Sequence, residues 1–373
     1  MRYLENFDPQ KRISLIGQGC MGIGGEFIED KSNEDEEVEA LKIGFDLGMN
    51  FVDTAEVYAS GNSEKVISKA IKGVREEIYI ATKVSPENHN YLNLIKSAEN
   101  SLTRLCTDYI DLYQIHWPNP SIPIEETISA MIKLIEDGKV RNIGICNFSI
   151  REINEAEEFL KKYKFFSNQV EYNLFDRHIE DSFLPYGRSK EMLTIAYSPL
   201  DKGRPEKSQG GKTIMALADK YQKTPSQIAL NWIVSQDLII AIPKSTNKKH
   251  IKENAESLDF IISKEDHELI SKTCSCKPFE IDPNLILVSE EGEGNRKVYK
   301  TVEEAIDNRL NLSPSPQELA EFIKVGEKIK PVRLTKCNDK ENYKYYLIEG
   351  RLRYWAWFIA FNGKRPIPAY IRF

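Results

Sequence analysis

The stretch NFVDTAEVY at residues 50–58 has the pattern that decides the fold. A short apolar run, predicted as a strand over Phe51–Thr54, ends in polar residues and is followed by a helical segment. Seven other runs rich in Val, Ile and Tyr have the same context, and they are predicted as strands at Ser14–Gly17, Ile78–Thr82, Leu112–His116, Asn142–Cys146, Asn168–Tyr172, Thr194–Ser198 and Ile239–Pro243. Strands that alternate with helices are typical of βα units and a parallel sheet.

The spacing of the eight runs indicates how the sheet closes. Successive strands begin roughly 25 to 45 residues apart, the span of a strand, a loop and a crossover helix. Eight such units favour an α/β fold in the form of a closed (β/α)8 TIM barrel over an open sheet.

The helices between the strands have signals of their own. Glu34–Leu47 and Glu125–Glu136 carry apolar residues at three- and four-residue steps, and Gly48 and Gly138 follow them as C-terminal caps. Thr224-Pro225-Ser226 is predicted to open another helix, with Thr224 as the N-cap. These segments supply the outer layer that a barrel requires.

Composition restricts the class of protein. The 373 residues are 41% hydrophobic and 29% charged with a formal net charge of −6, which fits a folded chain and offers a nucleic acid no global positive field. The N-terminal MRYLENFDPQ has acids where a signal peptide needs a basic and then an apolar run, and no stretch of about 18 apolar residues occurs. We therefore expect a cytoplasmic protein with neither a membrane nor a nucleic-acid partner.

Six cysteines without CxxC spacing predict free thiols rather than disulfides or zinc.

The repeating pattern ends near residue 275. A helix predicted from Ser263 to about Cys274 is followed by Lys277-Pro278, Asp282-Pro283 and a charged, turn-rich run over 289–297. We place a domain boundary there, with a barrel over residues 1–275 and a small α+β domain over 276–373. Helices are predicted in the second domain over Pro316–Glu327 and after Gly350, and strands over Leu285–Val288, Val332–Leu334, Lys344–Ile348 and Ile367–Ile371.

Polar residues stand where the predicted barrel strands end. Asp53 lies at the end of the second strand with Tyr58 just beyond it, Lys83 follows the third strand, and His116 ends the fourth. The carboxyl ends of barrel strands form one rim, so these side chains should converge. A lysine ammonium within about 4 Å of a phenol favours the phenolate and lowers its pKa, which suits a tyrosine that donates a proton. Asp53 would keep Lys83 charged, and His116 could donate a hydrogen bond to a carbonyl.

Seven segments, in this order, carry a resemblance to the aldo-keto reductase family: NFVDTAEVY, ATKVSP, QIHWPNP, IGICNFS, NQVEYN, AYSPL and IPKSTNKKHIKEN. The resemblance covers about residues 10–262 and implies a (β/α)8 barrel that uses NADPH to reduce aldehydes and ketones without a metal. It also implies the catalytic roles. Tyr58 would be the proton donor, Lys83 its pKa partner, Asp53 the residue that holds Lys83, and His116 the residue that orients the carbonyl.

The same resemblance implies a cofactor site. Asn147 and Gln169 would hydrogen-bond the nicotinamide carboxamide, and Tyr197 would stack on the ring. Ser198 and Leu200 follow Tyr197 in the same expected site. The segment Lys244–Asn254 would bind the adenosine phosphate end, and its expected contacts are Lys244, Ser245, Thr246, His250, Glu253 and Asn254.

Two positions depart from the family pattern. Cys146 stands where many members have a serine that binds the carboxamide, so weaker binding is expected there. His250 stands where many members have an arginine against the 2′-phosphate, and a neutral histidine is a poorer phosphate partner. A preference for NADPH over NADH would then rest on Lys244, Lys248 and Ser245.

From Phe279 to Phe373 the sequence resembles the ParB N-terminal and sulfiredoxin superfamily, through FEIDPNLI, LSPSPQELAEFIKVGEKIKPVRL and YYLIEGRLRYWAWFIAFNGKRPIPAYI. The piece IEGRLRYWA matches a Gly-x-x-Arg turn between a strand and a helix, where backbone amides and an arginine can bind phosphate. The resemblance makes Gly350, Arg351 and Arg353 the expected phosphate-binding residues, with a nucleotide as the ligand.

This second resemblance has departures too. Arg351 replaces the reactive cysteine of sulfiredoxins, which argues against sulfinic-acid reduction. Leu352 and Trp355 replace residues that partition proteins use on nucleotide phosphates, and no helix-turn-helix follows, which argues against DNA partitioning. A domain that only packs on the barrel or mediates dimers is the open alternative. The aromatic run YWAWFIAF is interpreted as core.

Two functions from different classes remain open at this point. The complete set of Tyr58, Lys83 and His116 favours an NADPH-dependent oxidoreductase that reduces an aldehyde or ketone to an alcohol. The alternative is an NADP(H)-binding redox sensor or scaffold subunit whose C-terminal domain binds a nucleotide or a partner; a pure sensor need not retain a proton donor. A small carbonyl compound is the expected substrate, but the sequence specifies neither its identity, which the barrel loops set, nor the oligomeric state.

Overall fold

The computed structural model describes residues 1–5, 7–201, 210–274, 278–288, 299–312, 314–337 and 342–372. The chain divides into two compact units, Met1–Ser275 and Cys276–Phe373, and each has its own hydrophobic core. The predicted turn-rich run over 289–297 and Cys276 lie outside the described residues. The other five cysteines are free thiols, as predicted.

A short antiparallel hairpin precedes the barrel. It pairs β1 (Tyr3–Leu4) with β2 (Ile13–Ser14). The prediction of a first barrel strand over Ser14–Gly17 is wrong in its position, because that strand, β3, is Gln18–Gly19. Ser14 belongs instead to β2, and Ile13 beside it is fully buried among the side chains inside the barrel.

The first unit is built around a curled sheet of eight parallel strands. After β3 come β4 (Phe51–Asp53), β5 (Tyr79–Val84), β6 (Ile110–Ile115), β7 (Val140–Cys146), β8 (Ser167–Glu171), β9 (Leu193–Tyr197) and β10 (Ile239–Ala241), and their spatial order follows the sequence. The segment before β3 meets β10, since Ile16 bridges Ala241 in parallel and Gly17 N donates to Ala241 O at 2.8 Å. The predicted barrel-like α/β fold is confirmed.

Helices fill the connections between the strands. They are α1 (Glu34–Asp46), α2 (Asn62–Ala70), α3 (Tyr91–Leu105), α4 (Ile124–Glu136), α5 (Ile150–Glu157), α6 (Phe183–Ser189), α7 (Gly211–Tyr221), α8 (Pro225–Val234), α9 (Lys248–Ala255) and α10 (Lys264–Thr273). Thr224 caps α8 in a capping box with Gln227, and Gly48 and Gly138 follow α1 and α4 with φ of +86° and +71°. Within the described ranges, no helix is both long enough and apolar enough to cross a membrane.

The strands of the barrel contribute to two cores. Residues that face outward pack against the helices, among them Val52, Ile80, Tyr113, Ile145 and Ala241. Residues that face inward form a separate buried cluster that includes Phe51, Tyr79, Ala81, Leu112 and Ile240. Because alternate residues of a strand share a face, this inner series continues to Asp53, Lys83 and Gln114. The sheet therefore places polar side chains inside the barrel at the carboxyl ends of its strands.

In its described residues, the second unit is a mixed five-stranded sheet with three α-helices. Its elements are β11 (Phe279–Ile281), β12 (Ile286–Leu287), α11 (Val302–Ile306), α12 (Pro316–Lys324), β13 (Val332–Lys336), β14 (Tyr345–Glu349), α13 (Arg351–Phe361) and β15 (Ile367–Arg372), with strand order β11-β15-β13-β14-β12. The sequence did not predict β11 or α11. Helix α13 buries Tyr354, Trp355, Ala356 and Trp357, which confirms that the aromatic run is core.

Candidate active site

Three neighbouring strands bring the four predicted catalytic side chains together. Asp53 ends β4, Lys83 lies near the end of β5, His116 follows β6, and Tyr58 lies in a short turn after β4. Lys83 Nζ donates to Asp53 Oδ2 at 2.6 Å, to Thr54 O at 2.7 Å and to Tyr58 OH at 3.4 Å. The rings of Tyr58 and His116 meet edge to face with centroids 5.7 Å apart. The convergence predicted from the strand ends is therefore present.

Lys83 remains a cation although it is fully buried. Burial by itself lowers the pKa of Lys83, but the charges of Asp53 and Tyr58 act against it, and the pKa is raised overall. Burial also raises the pKa of Tyr58, and Lys83 lowers it without overcoming that effect. The predicted net lowering of the Tyr58 pKa is therefore wrong for the free protein. The phenol is neutral and holds the proton that a general acid must donate.

His116 is an uncharged imidazole. Burial, followed by the charges of Lys83 and His89, lowers the pKa of His116 from 6.5 to about 3. Burial likewise lowers the pKa of His89 from 6.5 to about 4. A neutral imidazole still has one N–H donor, so His116 can orient a carbonyl oxygen without adding a charge to the site.

Two glutamine side chains hold Asp53 from the other side. Gln169 Nε2 donates to Asp53 Oδ1 at 2.6 Å, and Gln114 Nε2 approaches the same oxygen at 3.5 Å. Gln169 was predicted as a cofactor ligand, and its contact with Asp53 was not anticipated. Gln114 was missed altogether, although it stands two residues before His116 and so shares its face of β6.

Asn147 links two parts of the expected nicotinamide site. Tyr197, the last residue of β9, donates from its hydroxyl to Asn147 Oδ1 at 3.0 Å, and Asn147 Nδ2 donates to His116 O at 3.4 Å. Ser198 O accepts from Asn173 Nδ2 at 3.2 Å, and Leu200 packs against the outer core. Asn147 and Tyr197 are thus linked to each other and to the backbone of His116, one of the four predicted catalytic residues.

Cys146 and Cys20 are buried thiols that lie within electrostatic reach of Asp53 and Lys83. Burial raises the pKa of both thiols well above the ordinary value. Both are therefore protonated and unreactive in the free protein. The interpretation of Cys146 as a substitute for a polar ligand stays a prediction.

The expected phosphate-binding segment forms the turn from β10 into α9. Asn247 caps α9 by accepting from Lys249 N and His250 N, and Ser245 Oγ accepts from Asn247 N at 3.1 Å. Lys244, Thr246 and His250 are exposed, Ser245 and Glu253 are half-buried, and Asn254 is buried. A small pocket beside this turn is lined by residues that include Gln18, Leu41, Ser245, Ile251 and Asn254.

In the expected phosphate site of the second unit, the side chain of Arg353 is bonded to neighbouring protein groups. Gly350 precedes α13 with φ of +96°, a conformation that favours glycine. Arg353 donates to Lys330 O at 2.9 Å, and Glu349 accepts from Arg333 at 3.0 Å and from Arg353 at 3.5 Å. Gly350 thus lies between the strand and the helix, Arg351 and Arg353 lie in the first turn of α13, and Arg353 is already bound within its own unit. Phosphate binding there stays a prediction.

Comparisons with known proteins agree with the geometry of the first unit. The Aldo/keto reductase family matches residues 15–274. Methylglyoxal reductase YeaE of Escherichia coli (strain K12) is 35% identical over 268 residues, which cover 71% of this chain and 93% of that protein. Glyoxal reductase of Bacillus subtilis (strain 168) is 34% identical over 265 residues, covering 70% and 91%.

A solved structure is similar as well. The aldo-keto reductase from Klebsiella pneumoniae in complex with NADPH is 33% identical, covers 70% of this chain and 91% of that one, and has a TM-score of 0.66. The family match ends at residue 274, so the resemblance of the second unit to ParB and sulfiredoxin proteins stays a prediction.

Proposed function

Because the chain belongs to the aldo/keto reductase family, we propose that it reduces a small aldehyde or ketone with NADPH and that Tyr58 supplies the proton. Membership makes the chain an NAD(P)H-dependent oxidoreductase. The observation that carries the proposal is Lys83 Nζ, which lies 2.6 Å from Asp53 Oδ2 and 3.4 Å from Tyr58 OH. A buried lysine aimed at a phenol serves turnover and is not needed merely to hold a cofactor, so it favours an enzyme over a sensor.

The residues present fit the cofactor. Asn147, Gln169 and Tyr197 offer amide groups and an aromatic face at the carboxyl ends of their strands, next to His116 and Asp53. The exposed lysines Lys244 and Lys248 stand at the N-terminal end of α9, where the helix dipole also favours an anion. Such a set suits a ligand with a carboxamide at one end and a phosphate at the other. Bound NADPH supplies the hydride.

The mechanism follows from the residues of the chain itself. His116 donates a hydrogen bond to the substrate carbonyl oxygen and fixes its direction. Tyr58 then gives its phenolic proton to that oxygen as the carbonyl carbon receives the hydride, and the alcohol forms. The positive charge of Lys83 stabilises the phenolate that remains. Asp53, held by Gln169, keeps Lys83 charged and oriented.

The substrate class is proposed from the relatives and from the neutral state of His116. Two similar proteins are named for methylglyoxal and glyoxal. We infer that this chain accepts small α-dicarbonyl compounds of the same kind. A neutral His116 suits them, because they are uncharged and need only one hydrogen bond at the reacting oxygen.

Steady-state oxidation of NADPH with methylglyoxal, glyoxal and a panel of simple aldehydes tests the proposal. Tyr58→Phe should lower kcat at least about a hundredfold while NADPH still binds, because only the proton donor is lost. Tyr113→Phe is the matched control, since Tyr113 is buried in β6 and its hydroxyl has no partner among the described residues. If Tyr58→Phe keeps about a tenth of the wild-type kcat, Tyr58 is not the acid.

A further inference from the structure

The backbone immediately after Tyr58 is strained. Ala59 (φ 50°, ψ 37°) and Ser60 (φ 53°, ψ 37°) both adopt the left-handed conformation, and Gly61 follows with φ of 88°. This conformation is unfavourable for any residue with a Cβ, and two such residues in succession persist only where their surroundings hold them. The strain is one residue away from the phenol that is proposed to react.

Two consecutive carbonyl groups hold this turn from outside. Ala59 N donates to Glu26 O at 3.0 Å, and Ser60 Oγ donates to Phe27 O at 2.9 Å. Glu26 and Phe27 belong to the loop between β3 and α1. Ala59 is fully buried and Ser60 is exposed. The hydroxyl of Ser60 is therefore the one side-chain group of the two strained residues that ties the turn to the loop.

The loop is itself anchored. Gly24 N donates to Glu37 Oε2 at 2.8 Å, and Gly24 O accepts from Asp30 N at 2.7 Å and from Asn62 Nδ2 at 3.1 Å. Gly24 has φ of +75°, so the chain reverses there without the penalty that a Cβ brings. Since Glu37 is buried, the loop is anchored to the fold three residues before Phe27, whose carbonyl accepts from Ser60.

We propose that Ser60 is a positioning residue for Tyr58. Its bond to Phe27 O maintains the strained turn, and the turn keeps the Tyr58 hydroxyl within reach of Lys83 and His116. Tyr58 OH stands 3.4 Å from Lys83 Nζ, near the limit of a hydrogen bond. A relaxation of the turn by a few tenths of an ångström would therefore break this contact. The inference rests on the proposed role of Tyr58 as the proton donor.

The matched pair Ser60→Ala and Ser60→Gly tests the role of the hydroxyl. Both variants lack it, but alanine keeps the strained Cβ, whereas glycine adopts the left-handed conformation freely. Ser60→Ala should lower kcat about tenfold with KM within about twofold, because a misplaced acid slows only the chemical step. Ser60→Gly should recover most of kcat. Loss of the Lys83 contact raises the pKa of Tyr58, so the alkaline limb of kcat should move to higher pH in Ser60→Ala alone.

The outcomes separate this inference from the proposed function. If Tyr58→Phe retains turnover, the proposed function is wrong. If Tyr58→Phe is inactive but Ser60→Ala matches the wild type in kcat and pH profile, only the role of Ser60 is wrong. Equal losses in Ser60→Ala and Ser60→Gly would also overturn it, since they would mean that the hydroxyl contacts the substrate directly. Adding Ala59→Gly to Ser60→Ala should restore kcat partly, because it removes strain at the neighbouring residue.

Discussion

Two buried carboxylates with lysine partners lie at opposite ends of the same barrel. Asp53 is the last residue of β4 and pairs with Lys83 at 2.6 Å, whereas Asp111 is the second residue of β6 and pairs with Lys11 at 2.9 Å. Asp53 and Asp111 are 3% and 0% exposed, so burial does not distinguish the two pairs. The two pairs differ in the charged groups and hydrogen-bond partners around them.

The amino-end pair is a structural cluster. Asp111 also binds Arg75 at 2.8 Å, Arg141 at 3.2 Å and the backbone amide of Ile80 at 2.9 Å. Burial, together with the charges of Arg75 and Arg141, lowers the pKa of Lys11 despite the attraction of Asp111. All these groups have protein partners, and they join the segment after β1, the turn before β5 and the start of β7. The cluster therefore fastens strand starts to one another.

The carboxyl-end pair, Asp53 and Lys83, has a kind of hydrogen-bond partner that the amino-end pair lacks. Burial lowers the pKa of Lys83, but Asp53 and then Tyr58 act against it, and the pKa of this lysine is raised overall. Its third donor bond goes to a tyrosine hydroxyl, a group that can exchange a proton. The same kind of ion pair is thus surrounded by several cations at one end and completed by a titratable hydroxyl at the other, as the proposed role of Tyr58 requires. This division matches the general separation of barrel ends into a stability face and a catalytic face.

Substitution of the two lysines should separate these roles most strongly. Lys83→Met should lower kcat about a thousandfold, because neither the phenolate nor its orientation is supported any longer. Lys11→Met should leave kcat within about twofold, since Arg75 and Arg141 still bind Asp111. NADPH-dependent turnover measured per mole of folded protein checks both. Comparable kcat losses in the two variants would contradict the distinction between the two ends.

Removal of the negative charge of Asp111, at the amino end of the barrel, should lower the free energy of unfolding rather than kcat. Asp111→Asn leaves three cations around an uncharged amide and should reduce the free energy of unfolding by about 3 kcal/mol, with kcat of the folded protein unchanged. Chemical denaturation followed by circular dichroism measures it. Asp108→Asn is the control, because Asp108 is exposed on the neighbouring turn. An Asp111→Asn variant as stable as the control would show that the cluster is not needed for folding.

A smaller effect on stability is expected from His89, a neutral histidine at the carboxyl end of the barrel. Burial lowers the pKa of His89 from 6.5 to about 4, with Glu56 and a bond to the Val84 backbone acting in the opposite direction. The unfolded chain therefore takes up a proton as pH falls from 6.5 to 4 while the folded chain does not, and stability declines over that window. His89→Asn should remove on the order of 2 kcal/mol of this decline. Thermal unfolding between pH 7 and pH 4 measures it, with the exposed His250→Asn as control. Parallel pH curves for His89→Asn and the wild type would contradict the assignment.

Much of the fold could be predicted because its signals are local. Val- and Ile-rich runs between amphipathic helices predict a parallel barrel, and capping residues such as Thr224 indicate where helices begin. The first strand was placed too early because Ser14 is buried as part of the hairpin strand β2 and not as part of the barrel sheet. Burial for either reason produces the same apolar pattern in the sequence.

The residues of the candidate site likewise divide into those that local sequence signals identify and those that only distant contacts define. Lys83, Asp53 and His116 could be named because each stands at a strand end, and Tyr58 because it follows one closely; parallel strands bring their ends to one rim. Gln114 as a support of Asp53 and Ser60 as a support of the Tyr58 turn could not be named, since their partners are 61 and 33 residues away in sequence. The sequence contains no sign of which distant carbonyl or carboxylate a side chain will meet.

The sequence by itself determined which residue types are available at the rim and in what order, because a period of two along each strand assigns them to the inside of the barrel. The tertiary structure alone decided the protonation state of those residues. Burial, which depends on every neighbouring element at once, raises the pKa of Tyr58 and lowers that of His116 to about 3. Desolvation acts only on a group that the whole fold has removed from water, so no local pattern can encode it.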